Sequence, residues 1–209
     1  MKIIAQEIFF VDLPRPKTPL ILPNVLAENE MGKLFNAIKN KKHKAILFTA
    51  YSGGLRVSEV TKLKLIHIDA ARMQIFVKSA KGNKDRYVML SPMVLDVLRN
   101  YVKELKPRPL TYIFEGFLRG KPYSDRSAQE VFSKARRLSG IQKHITFHGL
   151  RHSFATHLLE KGTDLKYIQE LLGHFDIRTT LRYLHVARKD LVNIKSPFDD
   201  IWQNEGIEW

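Results

Sequence analysis

Apolar residues recur at helical spacing along almost the whole chain and give way to strand chemistry in one place only, residues 73–90. That restricts the fold to a mainly α (α+β) architecture with one small antiparallel β-sheet or hairpin. Residues 73–78 and 86–90 are rich in Ile, Phe, Val and Tyr and flank Lys81-Gly82-Asn83-Lys84-Asp85, so a β-hairpin with lysines at its tip is expected. Before it, the spacing predicts helices over Ala27 to Asn40, over Ala45 to Tyr51, and from Arg56 to Leu63 after the Gly53-Gly54 break. After it, Ser91-Pro92 opens a helix to about Leu105, with proline at the first helical position. Ser124 caps a helix over Asp125 to Leu138 that stops before Gly140. Glycines then punctuate three more: His148 to Lys161, Asp164 to Leu172, and Asp176 to about Leu184, the last taken to carry Tyr183. A final element is expected from about Ala187 to Ile194.

A chain of 209 residues with 44% hydrophobic content can bury one good core. Cysteine is absent, which excludes disulfides, thiolate metal sites and cysteine nucleophiles. Lys and Arg number 35 against 21 acids, and the resulting +14 is costly self-repulsion unless a polyanion screens it. Nucleic acid is the expected partner, bound in a manner that weakens steeply with salt.

Four of the nine prolines fall at Pro14, Pro16, Pro19 and Pro23, beside Arg15 and Lys17, and read as an extended basic linker. Residues 1–25 are therefore expected to be that linker and the remnant of a missing N-terminal domain, and residues 26–209 the catalytic domain. An N-terminal element docked on the same core is the other reading. The apolar start, interrupted by Gln6, Glu7 and Asp12, is neither a signal peptide nor a membrane span, and a cytoplasmic location fits.

Cleaving a phosphodiester needs a nucleophile, cations on the non-bridging oxygens and an acid for the departing oxygen. Arginine suits the cationic role because its planar fork matches phosphate oxygens and keeps its charge. Arg56 at the glycine turn and Arg151 in His148-Gly149-Leu150-Arg151-His152 are the expected pair. His148 lies i,i+3 from Arg151, so a helix presents both on one face, and a helix start also turns backbone N–H groups toward an anion. His148 and His152 are i,i+4 and with His157 raise zinc as a competing idea, although no acid lies between them and the third ligand is uncertain. Lys81, or Lys84 beside it, offers a mobile proton donor. Tyr183, nine residues after His174, is a phenol that needs positive neighbours or a proton acceptor before it can attack. Taken singly, each of these residues has a bland reading: a surface charge, a solvated turn or a core tyrosine.

In order and spacing the motifs Gly-Leu-Arg-x-Ser-Glu, Lys-Gly-x-Lys-x-Arg, His-x-Leu-Arg-His and Leu-Gly-His…Thr-Thr…Tyr-x-His resemble the tyrosine recombinase (phage integrase) family, in particular its Xer-like members, over about Leu26 to Trp202. The resemblance implies that Tyr183 attacks double-stranded DNA to form a 3′-phosphotyrosyl link while Arg56, Arg151, His148 and His174 hold the transition state. It implies that Lys81 protonates the 5′-oxygen, that His148 is available to take the tyrosine proton, and that Glu59 and Thr180 are supporting residues. No cofactor or metal is implied. The partners implied are DNA and a homo-tetramer on it, with a monomer as the alternative for the free protein, and a C-terminal helix that docks between protomers; Leu191, Ile194, Phe198 and Trp202 are the candidate docking face, with packing inside the protomer as the other reading. Against the family's usual pattern the N-terminal clamp domain is expected to be missing, and two glycines precede Leu55, which is expected only to loosen that turn. The alternatives are strand relaxation of the type IB topoisomerase kind and a DNA-binding fragment inactive without its N-terminal domain.

Overall fold

The computed structural model describes residues 24–78, 85–174, 176–184 and 186. Lys81, Lys84, the residues before Asn24 and the element expected from Ala187 lie outside them. Eight helices and one sheet follow in chain order: α1 (Glu28–Asn36), α2 (Lys41–Ser52), α3 (Val57–Thr61), β1 (Ile68–Asp69), β2 (Gln74–Val77), β3 (Arg86–Met89), α4 (Pro92–Glu104), α5 (Asp125–Leu138), α6 (His148–Glu160), α7 (Leu165–Leu172) and α8 (Ile177–Leu181).

Local chemistry explains most boundaries. The first helix is shorter than its apolar spacing suggests because Asn40 is needed as a cap: its Oδ1 accepts the N–H of His43 and starts α2. That cap also lets α2 begin at Lys41, through the Lys41–Lys44 stretch that carries no apolar signal. Ser124 Oγ accepts from the N–H of Ser127 at the head of α5, and Asp164 Oδ1 accepts from that of Lys166 at the head of α7. The sheet is antiparallel in the order β1-β2-β3, with Gln74 opposite Met89 and Val77 opposite Arg86. Its first strand, two residues long, is below what strand patterning can signal. Alternation along β3 turns Arg86 and Val88 inward and Tyr87 and Met89 outward, so strand geometry buries an arginine.

The core gathers around α2 and α6. Ala45, Ile46, Leu47 and Ala50 of α2 are fully buried, and α6 is buried on nearly every side, including Arg151, Ser153, Thr156 and His157. A helix enclosed in this way must look inside the protein for hydrogen-bond partners, which Ser153 and His157 find and Thr156 Oγ1 does not. Ser153 Oγ accepts from the N–H of Leu26 and donates to the carbonyl of Gly149, which ties the start of the described chain to α6. A smaller apolar cluster of Phe154, Ala155, Leu159, Ile168, Leu172 and Tyr183 joins α6, α7 and the turn after α8. Tyr183 lies in that turn rather than on the helix, its N–H donating to the carbonyl of Thr180.

At the second glycine of the turn, position 54, the backbone and the packing both require glycine. Gly54 has φ +59°, and a Cβ there would stand 2.4 Å from a ring carbon of Phe154. Only glycine fits both the left-handed backbone and the aromatic ring packed on it.

Candidate active site

Four parts of the fold bring the expected residues together. Arg56 stands at the N-terminus of α3, half-buried, and Glu59 of the same helix takes its backbone N–H at 2.7 Å and its guanidinium at 2.9 Å. Helix α6 contributes His148, exposed at its start, and Arg151, which has no exposed surface. The α7–α8 turn contributes His174, and the turn after α8 contributes Tyr183, only 2% exposed. Lys81 is the one expected member that lies outside the described residues.

Arg151 is fixed by backbone carbonyls. It donates to Gly54 O at 2.8 Å and to Leu172 O, while its Nε has no hydrogen-bond partner. The Gly54 turn and the end of α7 therefore aim it. Burial and the charge of Arg56 lower its pKa to about 9 against the opposing pull of Glu59.

Sequence reasoning missed Arg86. Its guanidinium grips both carboxylate oxygens of Glu59 at 2.9 Å, and its Nε donates to Leu171 O at 2.7 Å. Gly173, at φ +62°, leaves room for it, since a Cβ there would meet Arg86 Cδ at 2.9 Å. Its signal was present as the last letter of the Lys-Gly-x-Lys-x-Arg pattern, read only for its lysines. Arg151 Nη1 is 3.9 Å from the same carboxylate. One acid thus serves Arg56, Arg86 and Arg151, leaving two formal positive charges of that cluster without an acid. Burial opposes the charge on Glu59, but the bonds and charge of Arg86, the N–H of Arg56 and the charge of Arg151 outweigh it and hold the carboxyl at about 2. Replacing Arg86 by Ala is expected to cost about 3 kcal/mol, because it breaks a buried two-bond ion pair and leaves Glu59 to Arg56 and the more distant Arg151, and urea unfolding at neutral pH will measure it.

His152, weighed in the sequence only as a zinc ligand, is the second residue missed. Its Nδ1 lies 3.0 Å from the Tyr183 hydroxyl, and its ring meets that of His148 edge-on, with centroids 4.5 Å apart. His157, the third candidate ligand, instead has Nδ1 at 2.8 Å from the Tyr51 hydroxyl. No group of three or more His, Asp or Glu among the described residues is arranged to hold a metal ion. His174 Nδ1 pairs with Thr180 Oγ1 at 3.0 Å, and its ring lies nearly parallel to that of Tyr183.

The electrostatics differ from expectation at the tyrosine. Burial raises the Tyr183 pKa, and Arg151, Arg182 and Arg56 only partly offset it, so the phenol is not activated in the free protein. Burial and the neighbouring cations also hold the imidazoles neutral. Burial, Arg151 and Arg56 depress His174 to about 3; burial, His148, Arg151 and Arg182 depress His152 to about 4; burial, Arg151 and Arg56 lower His148. These shifts share one sign in folding. The two most depressed histidines stay neutral in the folded state while the unfolded chain takes up protons below about pH 6.5, and Glu59 adds the same tendency from about 4.5 downward. Their contribution to stability is complete above pH 6.5 and is lost as pH falls toward 3, which acid titration followed by circular dichroism will show.

The site opens onto a groove in three adjoining depressions. Lys62, Lys64 and Lys78 line one end; Arg56, Arg136 and His148 the middle; and His152, His174, Arg182 and Tyr183 the other end. A larger cavity of about 1050 Å³, between the α1–α2 turn and α5, holds none of the expected site residues.

The chain is similar in sequence and fold to known proteins. The model of the phage integrase family matches residues 24–190. Tyrosine recombinase XerA of Pyrococcus horikoshii is 37% identical over 180 residues, covering 86% of this chain and 62% of that protein. Tyrosine recombinase XerC of Staphylococcus epidermidis is 37% identical over 191 residues, covering 87% and 64%. The chain thus spans less than two thirds of the length of either relative. The crystal structure of XerA recombinase superposes with a TM-score of 0.73 at 28% identity, over 94% of this chain and 68% of that one. A helical core with one small antiparallel sheet, and a family match over most of the sequence, lead to one assignment: the chain belongs to the phage integrase family and has the fold of its Xer-like tyrosine recombinase catalytic domains.

Proposed function

We propose that this chain is the catalytic part of a site-specific recombinase that cleaves and rejoins double-stranded DNA through a 3′-phosphotyrosyl intermediate. The observation that carries the reading is the cluster of three guanidiniums around one carboxylate, of which Arg56 lines the middle of the groove whose far end holds Tyr183. A phosphodiester brings one negative charge and its pentacoordinate transition state two. A cluster in excess by two positive charges therefore favours the transition state over the ground state.

In this reading the Tyr183 oxygen attacks phosphorus, and Arg56 and Arg151 hold the non-bridging oxygens. His148 and His174, neutral in the free protein, donate hydrogen bonds to them, and Lys81 gives its proton to the departing 5′-oxygen. Attack by the 5′-hydroxyl of a partner strand reverses the chemistry and conserves the bond energy. The net charge of +14 and the basic groove supply the sequence-independent attraction to DNA. Two solved relatives bear on the substrate: XerH recombinase was captured with its difH substrate after cleavage, and a lambda integrase dimer on a core site. Assembly as a tetramer, with Leu191, Ile194, Phe198 and Trp202 docking on a neighbouring protomer, belongs to the same proposal, as does the division at residue 26 between linker and catalytic domain. A cytoplasmic site of action is part of the reading too; no helix among the described residues is long and apolar enough to cross a membrane.

The test is trapping on nicked duplexes that release the 5′-fragment, drawn from DNA flanking the gene. A denaturation-resistant adduct on the 3′-phosphate end at the break, with a free 5′-hydroxyl on the other end, is expected. Its absence, or an adduct on the 5′-end, overturns the reading. Joining of strands from two duplexes separates recombination from topoisomerase-like relaxation.

A further inference from the structure

We propose that His152 is a catalytic residue, the proton acceptor for the Tyr183 hydroxyl. The inference rests on the phosphotyrosyl reading and goes beyond it, because the motif resemblance offered His148 for that task. The geometry favours His152. Its Nδ1 is 3.0 Å from the phenol oxygen, within direct proton-transfer distance. His174 presents its ring face to Tyr183 and engages Nδ1 with Thr180, so no contact turns that nitrogen toward the hydroxyl. His148 packs edge-on against His152 at the mouth of the groove, where it is exposed toward an incoming phosphate. Two histidines one helical turn apart thus divide two tasks, the outer meeting phosphate and the inner meeting the nucleophile.

The step balances without another reactant. The Tyr183 oxygen–phosphorus bond forms as the phenol proton passes to Nδ1 of His152, which must start as the Nε2–H tautomer. The bond from phosphorus to the 5′-oxygen breaks, and that oxygen is protonated by the general acid. In the rejoining step the imidazolium returns its proton to the departing tyrosine oxygen.

The surroundings also make the acceptor respond to substrate. The groups acting on His152 are His148 and Arg151 from α6 and Arg182 from the turn after α8, with Tyr183 at its nitrogen and His174 across the ring. Burial, His148, Arg151 and Arg182 disfavour its protonated form in the free protein. A bound phosphate places negative charge beside the same ring and favours that form. The imidazole therefore becomes a stronger base when DNA occupies the site, and Tyr183 stays inert until then.

Single-turnover cleavage of a nicked duplex, with protein in excess, tests this. His152→Ala is expected to form adduct about 10²–10³-fold more slowly, with DNA affinity changed less than threefold, and added imidazole should restore part of the rate. The variant's rate should climb with pH where the wild-type rate is level. His152→Gln, which keeps a hydrogen-bonding group and fills the site, should fold as the wild type does and be slow without imidazole rescue. Rates within threefold of wild type in either variant, or slow His152→Ala cleavage with a wild-type pH profile and no rescue, overturn the proposal. If the wild type itself forms no adduct, the phosphotyrosyl reading falls first. Normal adduct from wild type and variant alike removes only His152.

Discussion

Replacing Tyr183 by Phe is expected to remove every trace of covalent protein–DNA product and to leave salt-sensitive DNA binding unchanged. The ring supplies most of the residue's packing, in the cluster with Phe154, Leu159 and Leu172, and phenylalanine keeps it. What is lost is the hydroxyl and its contact with His152, worth about 1 kcal/mol of stability. The variant should therefore fold, bind a duplex with the wild-type dependence on salt, and give no adduct on a nicked substrate at any time of incubation. Gel analysis after denaturation, beside a binding titration at two salt concentrations, separates the two properties. Adduct persisting in this variant removes Tyr183 as the nucleophile.

The second large effect belongs to Arg151. Loss of one preorganised cation from a site of this kind costs about 10²–10³-fold in rate, and Arg151→Ala is expected to reach at least the upper end. It is fully enclosed, and its loss also strips partners from Gly54 O and Leu172 O, adding several kcal/mol of destabilisation. Arg151→Lys keeps a charge but not the planar fork, so it should recover stability without recovering rate. Arg56 is half-buried and tied mainly to Glu59, and Arg56→Ala should lose rate with a much smaller change in unfolding midpoint. Comparable cleavage by the wild type and both alanine variants would take the two arginines out of the chemistry.

The fold was legible where a single element carries its own signal. Ser124 and Gly140 bracket α5, Asp164 and Gly173 bracket α7, and the hairpin strands alternate as their composition suggests. It was less legible where one element serves another: Asn40 shortens α1 because it caps α2, and Tyr183 leaves its helix for a turn. At the site, motif order identified which residues to examine, and the described ones do converge. The two it passed over, Arg86 and His152, matter through contacts made across 27 and 31 residues of sequence, and no local pattern encodes such a pairing. The need for glycine at position 54 was hidden for the same reason, since the Phe154 ring that makes it necessary lies a hundred residues away.

The carboxylate shared by Arg56, Arg86 and Arg151 also bears on how such a chain can diverge. Each guanidinium that leaves changes the surroundings of the other two, so substitutions at these four positions act on one another instead of adding. A lineage that loses Arg86 first must pass through a form whose buried acid has lost its two-bond partner, whereas one that loses Glu59 first passes through a form with three crowded cations. Drift at this hub is therefore closed in single steps, and change there is expected to arrive as compensated pairs or not at all.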